Sequence, residues 1–366
     1  MSKPAVILVI SDLGMGGSQG VISRLANALA AQGFPVSLLA LDSGRHPPFH
    51  PLVEAVHVTR LGVAGDSRGI VAAVKNNISR LISLRRAFRA QRAQGVTSLI
   101  SFGDRTNVLA LLASRGLGIP VIVSERTTPW LSPLGLAWKL LRRLSYPAAQ
   151  AVVVLNGRCA DYFRPWLGGK VCVIPNPVEI PPLSKVLPPR APEILGLGRL
   201  APIKGFDLLI RAFAQVREVI PGWTLIIRGE GPARCDLEKL IGELSLDERV
   251  FLPGATAGSG EALSRASIFV MPSRVEAFPN ALCEAMACGC AVIAFDCETG
   301  PREIVTDGVN GFLLPNGDVE ALASALRHLA LDLPKREALG TRAAEIIHTY
   351  SPAAFIAQWS RLLGAQ

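Results

Sequence analysis

Two glutamates eight residues apart are the first candidates for chemistry in this sequence. The stretch RVEAFPNALCEAMACG at 274–289 places Glu276 before a predicted helix and Glu284 about one turn inside it. Asn280 is suited to cap this helix and Pro279 to occupy its first position, which leaves backbone amides free. Such amides bind phosphate, and a carboxylate accepts hydrogen bonds from adjacent sugar hydroxyls. The amides in question belong to Phe278, Asn280, Ala281 and Leu282.

Positive charge that could neutralise a diphosphate lies in the segment GLGRLAPIKGFD. Arg199 and Lys204 stand on either side of a predicted turn that follows a buried strand. A guanidinium fork and an ammonium group match the oxygen atoms of a diphosphate. Near the N-terminus, SDLGMGGSQG supplies Gly14, Gly16 and Gly17 after another strand, and glycines let the backbone approach a phosphate or sugar closely.

The apolar pattern predicts a scaffold that brings such loops together. Continuous Val, Ile and Leu runs, such as 5–11, 96–102 and 267–273, alternate with helical stretches. This alternation indicates an α/β fold with parallel, doubly wound sheets covered by helices on both faces. Ligands of open α/β sheets bind beyond the carboxyl ends of the strands. We therefore expect the candidate residues to meet in a cleft between two Rossmann-like domains.

A proline-rich stretch divides the chain. IPNPVEIPPLSKVLPPRAP, at 174–192, suits neither a helix nor a central strand and is typical of a linker. We predict an N-terminal domain at 1–174, a linker at 175–192, a C-terminal domain at 193–349 and a final helix at 350–366, which could pack back on the first domain.

The net charge of +9 is distributed unevenly. Residues 1–174 hold 20 Lys and Arg against 7 Asp and Glu, whereas residues 175–366 hold 18 against 22. A basic first half indicates an anionic partner. Aromatic residues make up 6% of the chain and no recognition module is present, which argues against nucleic acid.

Two basic helices suggest what the anionic partner is. Segments 78–92 and 134–146 combine apolar side chains with a row of cations, and such helices bind anionic membrane surfaces. A helix that packs on the core and carries a solvated charged stripe is the alternative. The cations are Arg80, Arg85, Arg86, Arg89 and Arg92 in the first helix and Lys139, Arg142 and Arg143 in the second.

Seven cysteines without a C-x-x-C pair indicate a reducing compartment, and their spacing fits no common zinc site. No stretch reaches the roughly 18 apolar residues of a membrane span. We predict a cytoplasmic protein, peripheral at the inner face of the cytoplasmic membrane.

Taken together, the motifs resemble the retaining glycosyltransferases of family 4, which have the GT-B fold. The resemblance covers nearly the whole chain and rests on GGSQGVISRLANALAAQG, GRLAPIKGFDLLIRAF, EAFPNALCEAMACG with its E-x7-E spacing, and GPREIVTDGVNGFLLPNGD. SFGDRTN and VSERTTPW resemble a subgroup that builds bacterial surface polysaccharides and lipid-linked oligosaccharides.

The resemblance implies a role for each candidate residue. Glu276 would hold hydroxyls of the transferred sugar, and Glu284 would hold the ribose hydroxyls. Arg199 and Lys204 would neutralise the leaving diphosphate in place of a metal ion, so no metal or other cofactor is expected. The remaining donor contacts would come from Phe278, Asn280, Ala281, Leu282, Gly16, Gly17, Pro253 and Gly254.

One loop departs from the family pattern. Many relatives carry a histidine near the end of the strand PVIVSE, where this chain has Glu125, Arg126 and Thr127. Arg126 could contact phosphate or acceptor instead. Asp104, Glu125 and Arg126 are therefore the acceptor-side candidates.

The sequence thus predicts a retaining, metal-independent glycosyltransferase of the hexosyltransferase class. It would move a sugar from a nucleotide sugar, a UDP-sugar by resemblance, to a polyprenyl-diphosphate-linked glycan. A GT-B nucleotide-sugar epimerase and a non-catalytic sugar-nucleotide binding protein remain alternatives. The glycine loop at 14–20 with Asp42 also leaves an NAD(P) enzyme open, and the glutamate pair leaves a glycosidase open.

Overall fold

Two separate groups of parallel strands organise the protein. A computed structural model describes residues 3–65, 69–132, 134–181, 189–255 and 259–364. The chain divides into a first unit, Met1–Asn176 with Ala353–Gln366, and a second unit, Pro177–Pro352. Of the predicted linker at 175–192, residues 182–188 lie outside the described residues.

Within its described residues, the first unit contains a seven-stranded parallel sheet whose strands lie in the order β3-β2-β1-β4-β5-β6-β7. The strands are β1 Ala5–Ile10, β2 Val36–Ala40, β3 Val56–Arg60, β4 Val96–Phe102, β5 Val121–Ser124, β6 Ala151–Val154 and β7 Val171–Val173. The helices are α1 Gly17–Ala31, α2 Ile70–Ala93, α3 Asp104–Ser114, α4 Leu136–Ser145, α5 Gly157–Leu167 and the C-terminal α13 Pro352–Leu362.

The second unit contains a six-stranded parallel sheet in its described part, with the order β10-β9-β8-β11-β12-β13. The strands are β8 Ala191–Leu197, β9 Thr224–Arg228, β10 Val250–Gly254, β11 Ala266–Met271, β12 Ala291–Asp296 and β13 Phe312–Pro315. The helices are α6 Phe206–Val216, α7 Arg234–Glu243, α8 Gly260–Arg265, α9 Asn280–Ala287, α10 Val319–Leu331, α11 Leu333–Ala343 and α12 Ile346–Thr349.

Helices cover both faces of the first sheet, which explains why its central strands are apolar throughout. Side chains of α1 and α13 pack on one face, and those of α2, α3 and α5 pack on the other. Trp359 of α13 is fully buried, and its ring stacks on Phe102 at the end of β4 with centroids 5.9 Å apart. The C-terminal helix is therefore part of the first unit's core.

The predicted fold class is confirmed, since both units are parallel α/β sheets. The sequence did not predict β3, β7 and β13. Each is an edge strand of at most five residues with little buried surface, so none shows the continuous apolar run that marks a central strand.

The two basic helices differ from their predicted form. Arg80 and Arg85 turn back to the protein and donate to the carbonyls of Gly65 and Arg115, each at 2.7 Å. The prediction that Arg142 lies on an exposed stripe is wrong, because its side chain is 3% exposed. The exposed side of α4 instead carries Leu136, Leu140, Leu141 and Leu144 together with Lys139 and Arg143.

No helix within the described ranges combines the length and the apolar character that crossing a membrane requires.

We expect Trp359→Ala to destabilise the protein, because the substitution opens a cavity beside Phe102 in the core of the first unit. Truncations of this kind cost about 3–5 kcal/mol. Urea unfolding followed by circular dichroism measures the change. Leu331→Ala, at a position 60% exposed, is the control. Equal unfolding midpoints for the two variants would show that α13 adds nothing to the first unit.

Candidate functional site

The centre of the second sheet brings the predicted charged residues together. Strands β8 and β11 are neighbours there, and the strand order runs outward from them in both directions. Loops that follow such a pair diverge and leave a crevice for ligands. Lys204, in the loop after β8, donates from Nζ to Oε1 of Glu276, in the loop after β11, at 2.5 Å. Ser273 Oγ donates to the same carboxylate oxygen at 2.9 Å.

A glycine permits this approach of the two loops. Lys204 ends a 3₁₀ turn, and the next residue, Gly205, has a φ of +66°. A Cβ atom at Gly205 would lie 2.0 Å from the carbonyl oxygen of Pro272, so no other residue fits without movement of the backbone. Arg274 then fixes the two loops to each other through two hydrogen bonds, at 2.9 and 2.7 Å, to the carboxylate of Asp207.

Of the two predicted cations at this edge, Arg199 remains available to a ligand. The side chain of Glu276 is 11% exposed and that of Lys204 is 28% exposed, so this ion pair is partly shielded from water. Arg199 is exposed and forms no ion pair with any residue that the structure describes. Arg199 is thus the cation of the two that Glu276 does not pair with, and it can bind an anionic ligand.

Glu284 lies about one turn into α9 and is held from a different element. Ser259, immediately before α8, donates from Oγ to Oε2 of Glu284 at 2.9 Å. This contact orients the carboxylate, although sequence reasoning gave Ser259 no role.

The start of α9 differs in detail from the prediction. Asn280 does not cap the helix; it is the first helical residue, and Pro279 occupies the cap position. The reason is a tight turn at Pro279, in which the amide of Asn280 donates to the carbonyl of Phe278 at 3.1 Å. The prediction of a free Asn280 amide is therefore wrong. The amides of Ala281 and Leu282 have no backbone acceptor among the described residues.

The side chain of Phe278 packs against the protein and does not project into solvent. Its side chain is 9% exposed and meets Tyr350 edge to face, with ring centroids 5.7 Å apart. The aromatic contact anchors the loop, so any ligand contact at this position falls to its backbone.

A third loop completes the arrangement, and sequence reasoning gave its residue Thr299 no role. Thr299, after β12, donates from Oγ1 to the backbone carbonyl of Glu276. Gly300 has a φ of +91°, and a Cβ atom there would lie 3.2 Å from Pro279. The string GPRE, which begins at Gly300, could have indicated this loop, because a Gly-Pro pair marks a turn with an unusual backbone conformation.

Pro253 and Gly254 lie at the same carboxyl edge, but two strands from β8. They end β10, an edge strand in which proline is tolerated. The carbonyl of Gly254 accepts from the amide of Gly229 at 3.0 Å, which ties this edge to the loop after β9.

In the first unit, the glycine loop leads directly into α1. The helix begins at Gly17, and Gly16 is its cap residue. A Cβ atom at Gly16 would lie 2.2 Å from Oε1 of Gln19, so the loop packs tightly on the first turn. The carboxylate of Asp42 accepts from Arg60 at 2.9 Å and from the Leu13 amide at 3.1 Å. Asp42 is thus engaged within the protein, which weakens the NAD(P) alternative.

Glu125 and Arg126 follow β5 and face opposite sides of the sheet, as adjacent residues of an extended chain do. Glu125 is 1% exposed, accepts from the Tyr146 hydroxyl and lies 3.8 Å from Arg142. Burial raises the pKa of Glu125 to about 7, with Arg142 and Tyr146 acting in the opposite direction. The repulsion of Asp104 adds a smaller increase to this pKa, which places the two acidic candidates near each other.

Arg126 belongs to the other face, where α1 and α13 pack. Its guanidinium lies 4.8 Å from the centre of the Phe102 ring and donates to Ser124 Oγ at 3.2 Å and to Asn176 Oδ1. Burial, with a contribution from Arg24, lowers the pKa of Arg126 to about 9. The acceptor-side candidates therefore form two separate environments.

The raised pKa of Glu125 predicts a pH-dependent stability. Between its ordinary value of 4.5 and about 7, the folded state keeps a proton that the unfolded chain releases. The stabilisation is complete below pH 4.5 and is lost as the pH rises through 7. We expect the free energy of unfolding of the wild type to fall by up to about 3 kcal/mol across this window relative to Glu125→Gln.

Urea unfolding at a series of pH values measures this difference. Asp161→Asn, at a surface carboxylate 71% exposed, is the control and should follow the wild type. Parallel curves for the wild type and Glu125→Gln would contradict the prediction.

Within the described ranges, no group of three His, Cys, Asp or Glu side chains is arranged to hold a metal ion. Metal independence stays a prediction, which the donor experiment below tests.

Comparison with known protein families matches both units. The family model for glycosyl transferases group 1 matches residues 183–346, and that for the glycosyl transferase 4-like domain matches residues 16–177. These matches confirm the family that the sequence motifs predicted.

Individual relatives agree with this assignment. An N-acetylgalactosamine-N,N'-diacetylbacillosaminyl-diphospho-undecaprenol 4-alpha-N-acetylgalactosaminyltransferase of Campylobacter jejuni is 30% identical over 265 residues, 69% of this chain and 72% of that protein. An exopolysaccharide phosphotransferase of Streptomyces coelicolor is 36% identical over 225 residues, 60% of this chain but 24% of that protein. The chain thus spans about a quarter of the latter relative.

Among solved structures, HepE from Anabaena in complex with UDP and glucose has a TM-score of 0.80 to this protein. The match covers 99% of this chain and 100% of HepE at 18% identity. At that identity, the similarity establishes the fold only.

Proposed function

The chain belongs to the group 1 glycosyltransferases with a 4-like first domain and the GT-B fold, and from this premise we propose that it is a retaining enzyme using a nucleotide sugar. The donor is a UDP-sugar, and the acceptor is a lipid-linked glycan of surface polysaccharide or oligosaccharide biosynthesis. The observation that carries the proposal is the Lys204–Glu276 contact at the centre of the second sheet, together with Arg199 of the same loop as Lys204, which no described carboxylate pairs with.

Each donor contact follows from charge and position. Arg199 and Lys204 bind the diphosphate, since a guanidinium and an ammonium supply several hydrogen bonds to its oxygens. Glu276 accepts from hydroxyls of the transferred sugar, and Glu284 accepts from the ribose hydroxyls. The amides of Ala281 and Leu282 add donors at the start of α9. Pro253 and Gly254 border the base.

The transfer step needs no protein nucleophile. The bond between the sugar C1 and the diphosphate oxygen breaks while the acceptor hydroxyl oxygen bonds to C1 from the same face. The hydroxyl proton passes to the departing diphosphate, so charge and atoms balance. Arg199 and Lys204 stabilise the negative charge that develops on the leaving group. Holding both substrates in place supplies the rest of the acceleration.

Three features of the comparisons support the choice of substrates. The Campylobacter relative acts on a diphospho-undecaprenol glycan by its name, the Streptomyces relative is named for an exopolysaccharide, and HepE was solved with UDP. A nucleotide-sugar epimerase remains the second candidate, because it would use the same donor contacts. The two differ in product: an epimerase converts the UDP-sugar without any acceptor.

We expect Glu276→Gln to reduce sugar transfer by at least about a hundredfold, because the amide can no longer accept from two hydroxyls and leaves Lys204 without its counter-charge. Binding of UDP alone should persist. Thermal shifts with UDP, GDP, ADP and NADP identify the nucleotide. Transfer from the matching nucleotide sugar, with magnesium or with EDTA, measures activity and the need for metal.

Glu248→Gln, at an exposed carboxylate of the same unit, is the matched control. Full transfer by Glu276→Gln would refute the site. A shift with NADP alone would refute the family of substrates, and loss of transfer in EDTA would refute metal independence.

The first unit supports the membrane part of the proposal. Leu136, Leu140 and Leu144 are 85%, 60% and 62% exposed and follow each other at four-residue intervals along α4, next to the exposed Lys139 and Arg143. A leucine row flanked by cations suits an anionic bilayer surface. The acceptor of a lipid-linked pathway resides in such a bilayer.

Helix α2 carries a second exposed apolar row. Ile78 and Ile82 are 52% and 46% exposed, with the exposed Arg86 and Arg89 further along the helix. Helix α3 packs against both α2 and α4, so the two rows belong to the same side of the first unit.

We expect Leu140→Glu with Leu144→Glu to weaken binding to vesicles of phosphatidylglycerol and phosphatidylethanolamine by roughly tenfold or more. Each substitution removes the free energy gained when a leucine side chain moves from water into the bilayer. Each new carboxylate is also repelled by the anionic lipid. Co-sedimentation measures the effect. Leu331→Glu, at an exposed leucine of the second unit, is the control. Unchanged binding of the α4 double variant would contradict membrane contact through this helix.

A further inference from the structure

Arg126 is a buried cation to which the described residues provide no counter-charge. The residue is 7% exposed, and no carboxylate among the described residues pairs with it. Its polar contacts are neutral oxygens of Ser124 and Asn176, and its Nε has no hydrogen-bond partner in the described part of the chain. A buried charge is expensive unless it is paired, so this arrangement is incomplete as it stands.

A second arginine with the same property lies nearby on α1. Nε of Arg24 is buried, and no described residue accepts from it. After burial, the charge of Arg24 is the next cause that lowers the pKa of Arg126. Two arginines that repel each other, and that no described carboxylate pairs with, would be stabilised by an anion bound to both.

His50 closes the same region. Side chains on a helix lean toward its N-terminus, so Arg24 leans toward Gly20, one turn earlier. A Cβ atom at Gly20 would lie 3.0 Å from Cε1 of His50, and Nε2 of His50 lies 3.3 Å from the carbonyl oxygen of Gly16. Burial lowers the pKa of His50, and the charge of Arg24 lowers it further. The imidazole is therefore neutral at pH 7 and can offer an anion a hydrogen bond but no charge.

We propose that Arg24, Arg126 and His50 form an anion pocket in the first unit that binds a diphosphate group. Two planar guanidinium groups match phosphate oxygens, and the N-terminus of α1 adds positive potential at the same edge of the sheet. The pocket is built from residues of the first unit alone. Resting on the proposed function, we assign it to the diphosphate of the lipid-linked acceptor.

Aromatic stacking holds one wall of this pocket in place. Arg126 lies over the ring of Phe102, and Phe102 stacks on Trp359 of α13. The guanidinium is therefore fixed before any ligand arrives, which lowers the entropy cost of binding. The C-terminal helix supports the pocket without contributing a charged group to it.

Isothermal titration with inorganic pyrophosphate, farnesyl diphosphate and UDP tests the pocket. The variants are Arg126→Met and Arg24→Met, and Arg164→Met, at a position of α5 that is 53% exposed, is the matched control. We expect each pocket variant to bind pyrophosphate and farnesyl diphosphate about tenfold or more weakly, since a charge-assisted hydrogen bond is lost. Binding of UDP should be unchanged.

Stability without ligand provides an independent readout. Arg126→Met should melt no lower than the wild type, because it removes a buried charge that lacks a partner. A structural role for Arg126 would instead lower the melting temperature and leave pyrophosphate affinity unaltered, which would overturn the proposal. If Arg126→Met does not fold, Arg24→Met and His50→Gln carry the same test.

The remaining outcomes test separately whether the pocket exists and whether its ligand is the diphosphate of the acceptor. Equal affinity of wild type and variants for pyrophosphate, or no binding by the wild type, would overturn the pocket. Parallel loss of UDP and farnesyl diphosphate binding would uphold the pocket but overturn its assignment to the acceptor in favour of the donor. Arginine-dependent pyrophosphate binding by a protein that transfers no sugar would uphold the pocket while the proposed function fails.

Discussion

The close approach of two loops at the centre of the second sheet is the constraint on which the proposed donor site depends. Strand order places the loops after β8 and β11 side by side, but it does not bring Lys204 within hydrogen-bond distance of Glu276. That requires the missing side chain of Gly205 against Pro272 and the clamp between Arg274 and Asp207. The ion pair therefore depends on the steric room that Gly205 provides. Because the pair balances only one of the two cations, Arg199 stays available for an anion.

In the first unit, the pairing of a buried carboxylate determines which side chains point inward. Glu125 is buried and draws in Tyr146 and Arg142 as partners. Arg142 of α4 therefore points inward, whereas Lys139, Arg143 and the leucines of that helix face outward. Arg126, on the opposite face of the sheet, has no such partner among the described residues, and this difference motivates the proposed anion pocket.

The two units differ in net charge and in the substrate that each is proposed to bind. The first is basic, exposes apolar rows on α2 and α4 and holds two arginines that no described carboxylate pairs with, all of which suit an anionic lipid-linked acceptor. The second is slightly acidic overall yet presents Arg199 and Lys204 at the centre of its sheet, where a nucleotide diphosphate would bind. Family membership rests on motifs in both units, and the proposed reaction requires a substrate from each.

The sequence alone determined the fold class, the central strands, the family and the short list of charged residues in the loops. It could do so because buried parallel strands need continuous apolar runs and because loop motifs keep their spacing regardless of the packing around them. Edge strands such as β3 were not predictable, since they bury too little to leave a pattern. Tertiary structure alone decided that Pro279 rather than Asn280 caps α9, that Thr299 and Ser259 hold the glutamates, and that Arg142 is buried. The contacts of Thr299, Ser259 and Arg142 each depend on a partner distant in sequence, and local propensity carries no information about which distant group will satisfy a polar atom.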